Sequence, residues 1–177
     1  MRLLAFLLRV WLVSLISLAL AGCAGVTSPQ PKFAFHSFSY DGWAGYDNWE
    51  ATADLLEYSY GDQYRMVRRK VKPPRKRLNP QSGVGGFMPV GEFLYVKWRV
   101  KATGEVMDDR VDLRPLLPKD MTKHGLTFVI DGRQLYVYLV TPTPKGVKDP
   151  PILKTYRSMF YVTYEIYPTN TRGRIDS

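Results

Sequence analysis

Leu126-Thr127-Phe128-Val129-Ile130-Asp131-Gly132-Arg133-Gln134-Leu135-Tyr136-Val137-Tyr138-Leu139-Val140 is the stretch that decides the fold. Five strand-forming residues run into Asp131-Gly132. That dipeptide suits the positive φ angles a tight hairpin needs. The return strand places Leu135, Val137 and Leu139 on one face and Tyr136, Tyr138 and Val140 on the other. Side chains alternate across a strand, so both faces are apolar or aromatic. Such a strand is expected at the centre of a sheet or beneath a loop.

The same period recurs outward along the chain. From Phe93 to Val100, Leu94, Val96, Trp98 and Val100 alternate with Phe93, Tyr95, Lys97 and Arg99. Ala102-Thr103-Gly104-Glu105 then turns the chain, and Val106 to Leu113 returns with Val111 and Leu113 on one face. Tyr156 to Tyr167 reads as the last strand, stopped by Pro168, which has no N–H for a ladder. Thr141 to Pro151, with its four prolines, reads as a loop. Near the start, Phe33 and Phe35 lie in one phase and Phe38 and Tyr40 in the other, which predicts a β-bulge near His36-Ser37. Trp49 to Tyr60 fits a helix with a capping box at Asp47–Glu50, or a strand from about Asp54. The strand is preferred, because Tyr64 to Val71 follows across Gly61-Asp62-Gln63 as a hairpin partner. Gly83-Val84-Gly85-Gly86 reads as a flexible loop before Pro89. The sum is an all-β chain: an antiparallel β-sandwich or small barrel of about seven strands over residues 33–168, with a tail at 169–177.

Composition agrees. The chain has 177 residues, 45% hydrophobic and 14% aromatic, which is one domain with ample apolar surface and not a disordered chain. One cysteine excludes a disulfide framework and a multi-cysteine zinc site, and two histidines leave little for a metal centre. No cofactor and no metal are expected.

Residues 1–22 read as a secretory signal. Arg2 and Arg9 are their only charges, and the middle is apolar between a positive start and a small-residue end. Leu20-Ala21-Gly22-Cys23 resembles the lipobox of bacterial lipoproteins residue for residue. The resemblance implies cleavage before Cys23, acylation of its thiol and amine, and a lipid anchor in place of a transmembrane span. Each buried CH₂ contributes about 0.8 kcal/mol, so two or three acyl chains hold a protein almost permanently. In enterobacterial lipoproteins an Asp after the cysteine signals retention in the inner membrane. Here Ala24 and Gly25 follow, which implies the outer membrane, facing the periplasm. Residues 23–32, small and proline-bearing, read as the lipidated tether.

The densest charge feature is a run of eight cations without an acid: Arg65, Arg68, Arg69, Lys70, Lys72, Arg75, Lys76 and Arg77. They account for nearly all of the formal charge of +9. Such a patch fits an acidic protein, an anionic lipid head group or a glycan. An exported protein rarely meets nucleic acid, so none is expected as partner. The bland reading is a solvated edge strand and loop, with Pro73-Pro74 in it. Tyr40, Trp43, Tyr46 and Trp49 surround a Gly-bearing loop; they either anchor an interface or fold back over the core edge. Trp43 and Tyr46 are the partner-binding candidates among them. Asp108 and Asp109 point to opposite faces of a strand and do not form a carboxylate pair. His36 and His124 have no partner visible in sequence, and no His-Glu-x-x-His or Gly-x-Ser-x-Gly is present. No catalytic residue is assigned.

The glycines 83–86, Pro89, Val96-Lys97-Trp98 and the ending Ile166-Tyr167-Pro168 resemble a group of small proteobacterial lipoproteins. Some of these lie beside type VI secretion phospholipase effectors and are taken to be periplasmic immunity proteins. Members often carry Cys-Cys after the glycines, where this chain has Phe87-Met88. The expectation is a membrane-anchored, non-enzymatic binding lipoprotein of the cell envelope, with immunity to a periplasmic toxin as the role the resemblance implies. The alternative is a structural envelope lipoprotein contacting lipid head groups or glycan through the basic run.

Overall fold

The computed structural model describes residues 32–42, 52–67, 82–146 and 156–175. Strands take up 62% of them. In chain order the elements are β1 (Phe33–Asp41), β2 (Ala53–Tyr60), β3 (Tyr64–Val67), β4 (Ser82–Pro89), β5 (Phe93–Val100), β6 (Val106–Asp112), β7 (Gly125–Asp131), β8 (Gln134–Pro144), α1 (Tyr156–Phe160), β9 (Tyr161–Tyr167) and α2 (Thr171–Ile175). They build a five-stranded sheet, β4-β1-β7-β8-β9, and a four-stranded sheet, β3-β2-β5-β6.

This is an all-β sandwich, as the strand periodicity predicts. Nine strands occur among the described residues rather than about seven. One neighbouring pair is parallel, β1 with β7, so the larger sheet is mixed and not wholly antiparallel. A parallel pair needs a long crossover. Here the whole of β2 to β6 lies between the two strands in sequence, so no local signal announces the pairing.

The core forms where the inner faces meet. Leu94, Val96, Trp98 and Val100 of β5 are all buried, against Phe38, Leu126, Phe128, Ile130, Leu135, Val137 and Leu139 of the other sheet. Burial of each such side chain contributes about 1.5–3 kcal/mol. Phe38 stacks on Tyr60 across the gap, with ring centroids 4.4 Å apart and planes at 2°. Tyr58 meets Phe38 and Phe128, each at 5.5 Å. Two polar contacts pin the sheets in register. The Trp98 indole N–H donates to the Gly132 carbonyl at 3.0 Å, and the Tyr167 hydroxyl donates to Asp109 at 2.6 Å. The β7–β8 hairpin closes where Asp131 faces Gln134, leaving Gly132 and Arg133 as the loop, and Gly132 takes a φ of 55°. β8 lies between β7 and β9, the central position expected of it.

Several local readings are corrected. β1 has no bulge: its register with β4 is unbroken from Phe33 to Tyr40. Ala34, His36, Phe38 and Tyr40 face the core in one continuous phase, and Phe33 and Phe35 point out. The slip lies in β2 instead, at Leu56. Ala53 and Leu55 face inward before it, and Tyr58 and Tyr60 after it. That slip is why the segment also fits a helical spacing. Gly83 to Gly86 is strand, not flexible loop. A Cβ at Gly83 would sit 3.3 Å from the Ser39 Cβ, so the glycines let β4 lie close along β1. Thr141 to Pro144 continue β8 rather than starting a loop. The last β8–β9 pairing is Pro144 with Tyr161. Tyr156 to Phe160 coils into α1 rather than extending the strand, with the Phe160 carbonyl accepting the Lys145 N–H at 2.8 Å. Two register shifts along β8–β9 also break the alternation, so Thr163 and Ile166 are both buried. The expected tail at 169–177 carries α2, which Asn170 begins by accepting the Gly173 N–H at 3.0 Å. Arg172 donates from there to the Leu116 carbonyl at 3.3 Å.

Candidate functional site

The outer face of β3-β2-β5-β6 carries most of the charge that strand pairing brings together. β3 is an edge strand, and Arg65 on it is exposed. Its guanidinium reaches Glu57 of β2 at 2.6 Å. Glu57 lies opposite Lys97, and Lys97 opposite Asp108. Signs therefore alternate across three strands, the arrangement cross-strand pairs favour. Asp54 opposes Arg99, and Arg110 places its guanidinium 3.4 Å from the centre of the Phe93 ring. Tyr95 stands among these groups. Its phenol is pushed above the ordinary value by partial burial, then by Asp108 and Glu57, with Arg65 opposing. The sequence shows a cationic run with no acid in it; the fold supplies Glu57 to Arg65 from the adjacent strand. Exposed pairs of this kind contribute about 0–1 kcal/mol, so the face can exchange its internal partners for a ligand's.

Of the residues expected to bind a partner, only Arg65 is described. Arg68, Arg69, Lys70, Lys72, Arg75, Lys76, Arg77, Trp43 and Tyr46 lie outside the described residues, as does Cys23. Tyr40, named with the aromatic cluster, folds into the core, 5.0 Å from Phe128 between ring centroids.

A second group is buried between the sheets. His36 is 2% exposed and shares its site with Tyr60, which is fully buried. The Ala34 carbonyl can only accept, so His36 Nδ1–H donates to it, at 3.0 Å. Nε2 is then the acceptor for the Tyr60 hydroxyl at 2.9 Å. The Gly91 N–H bonds the same phenol. Every polar atom of the pair is engaged and both groups are neutral. Burial lowers His36 from its ordinary value of 6.5 and raises Tyr60 to about 12. His36, read without a partner in sequence, is thus paired with a tyrosine of the opposite sheet. A closed arrangement of this kind organises a core and offers no atom to a substrate.

A third surface had no counterpart in the sequence reading. Phe33, Phe35 and Phe87 are 53%, 62% and 72% exposed. Phe35 lies opposite Phe87 across β1–β4, and Phe33 stacks on Phe87 with centroids 5.6 Å apart. The uninterrupted alternation Ala34, His36, Phe38, Tyr40 is the signal that would have revealed it.

The acids do not converge. Asp109 points inward to Tyr167 while Asp108 is exposed on the outer face, as alternation requires. Asp112 is held by Arg114 through two bonds of 2.9 and 2.7 Å, which brings its carboxyl down to about 2. Among the described residues no three His, Cys, Asp or Glu side chains gather as metal ligands. No protein-family model, curated protein or solved structure matches this chain.

Proposed function

We propose that this chain is a lipid-anchored, non-enzymatic binding protein of the bacterial envelope, held by Cys23 and facing the periplasm of the outer membrane. The observation that carries the reading is Arg65. It stands exposed on edge strand β3, beside a charged sheet face, and its strand leads directly into the other seven cations of the run. A cationic edge next to paired surface charges suits a protein partner with an acidic surface, because opposite charges steer association and set register. The resemblance of residues 83–98 and 166–168 to lipoproteins encoded beside type VI phospholipase effectors supplies the role: immunity, by occupying a toxin in the periplasm.

The test is protection. Cells directing such a phospholipase to their own periplasm survive when this chain is co-expressed and lyse without it. The Arg75→Ser/Lys76→Ser/Arg77→Ser triple variant, expressed at equal level, protects poorly and loses the salt dependence of complex formation. Equal lysis with and without the wild-type chain removes the immunity role. Full protection by the triple variant removes the basic run from it.

A further inference from the structure

We propose that Phe33, Phe35 and Phe87 form a membrane-contacting face, by which the anchored domain lies down on an anionic lipid surface. The proposal rests on the lipid anchor at Cys23 and adds an orientation to it. Three observations carry it.

The first is the patch itself. Three phenylalanines, each more than half exposed, cluster on the outer face of β1 and β4, with Phe33 stacked on Phe87. Elsewhere on the same sheet the outward-facing apolar side chains are covered: Val129 of β7 is 1% exposed and Tyr138 of β8 is 6% exposed. The larger sheet therefore hides its apolar outer residues in one place and leaves them open in another. Apolar side chains that stay together and uncovered mark an interaction surface.

The second is where the patch lies along the chain. Phe33 is the first strand residue after the tether, and the acyl-bearing Cys23 precedes it by ten positions. Ten residues fully extended span at most about 33–36 Å, so Phe33 cannot lie farther than that from the acylated residue.

The third is charge. Lys32 precedes Phe33, is exposed, and its carbonyl accepts the Val90 N–H at 2.7 Å. Exposed Lys123 donates its backbone N–H to the Phe35 carbonyl at 2.7 Å. Exposed lysines thus stand beside β1 at Phe33 and at Phe35. Aromatic side chains sit at the boundary of head groups and acyl chains, while cations beside them bind anionic head groups. Docking through the phenylalanines leaves the opposite sheet, where Asp54 opposes Arg99 and Glu57 opposes Lys97, turned to the periplasm for its partner.

The experiment uses the mature lipidated protein in vesicles of phosphatidylethanolamine and phosphatidylglycerol. Cys23 is the sole cysteine and its thiol is acylated, so one introduced cysteine takes a single environment-sensitive fluorophore. It is placed at Phe35→Cys or, on the opposite sheet, at Arg99→Cys. Doxyl-labelled lipid should quench the Phe35 position several-fold more than the Arg99 position. Phe33→Ser with Phe87→Ser should bring quenching at Phe35 down to the Arg99 level, while the protein still floats with the vesicles on its anchor. Equal quenching at the two positions overturns the proposal and leaves the face to a protein partner. The mass of the N-terminal peptide separates this from the anchor. If Cys23 carries no acyl chain, the anchor reading fails, and flotation of the unlipidated protein decides for the patch: flotation lost in Phe33→Ser/Phe87→Ser upholds it, and no flotation of the wild type overturns it.

Discussion

Replacing Gly91 with alanine should be among the most damaging single-methyl changes this domain can receive. The methyl would stand 2.5 and 2.6 Å from Cδ2 and Cε2 of Tyr60 and 2.9 Å from the Gly61 nitrogen. Relief requires either the Tyr60 ring or the backbone to move. The ring is fully buried, lies flat on Phe38 at 4.4 Å, and holds His36 through its hydroxyl at 2.9 Å. Overpacking a close-packed core costs about 1–3 kcal/mol. If the ring moves, the Tyr60–His36 bond goes too, and an unsatisfied buried group costs a further ~1–3 kcal/mol. The expected loss is about 3 kcal/mol, a large part of a total stability of roughly 5–15 kcal/mol. Urea unfolding is the assay, with the midpoint falling and the slope unchanged. Gly85→Ala is the control: its Cβ would find nothing nearer than 3.5 Å, and its effect should stay within about 0.5 kcal/mol. A Gly91→Ala protein as stable as Gly85→Ala would refute the packing of β2 against β1 described above.

Other expectations follow from the same site and its surroundings. Tyr60→Phe keeps the ring stack but leaves His36 Nε2 and the Gly91 N–H without their partner, so the urea midpoint should fall by the equivalent of about 1–3 kcal/mol. Stability should also fall with acid. His36 titrates below 6.5 when folded, because burial disfavours its charge, so the unfolded chain binds the proton more readily. The loss therefore begins as pH drops through 6.5 and continues down to the lowered folded value, and it should flatten in His36→Gln; an equal slope in both proteins would contradict the assignment. Arg65→Gln should change the melting midpoint little, since its exposed pair with Glu57 contributes about 0–1 kcal/mol, while weakening capture of an acidic partner at low salt.

What the sequence made legible was period two in segments with one clean apolar face. Leu94, Val96, Trp98 and Val100 could be read directly, and the Asp131-Gly132 turn fixed the hairpin around it. Misreadings arose where residue type and face parted company. The phase change from Phe33 and Phe35 to Phe38 and Tyr40 suggests a bulge, yet β1 is unbroken and its core side there is Ala34 and His36. Gly83, Gly85 and Gly86 carry no strand propensity of their own; the first two lie against Ser39 and Ser37 of the neighbouring strand, and Gly86 takes a φ of 148°. The partners of His36 and Arg65 are a tyrosine 24 residues away and a glutamate 8 residues away, brought close by sheet packing and strand pairing. No spacing rule encodes the first of these contacts. The basic run itself was plain in sequence; all of it beyond Arg65 lies outside the described residues.

The measurement that bears most directly on the account is metabolic labelling with an alkyne palmitate analogue, followed by separation of membranes from soluble fractions. The wild-type chain should take up label and appear in the outer-membrane fraction, cleaved before Cys23. Cys23→Ala should take up none and remain as uncleaved precursor. Equal labelling of the two proteins, or an unlabelled wild-type chain in the soluble fraction, would contradict the lipid anchor on which the proposed function stands.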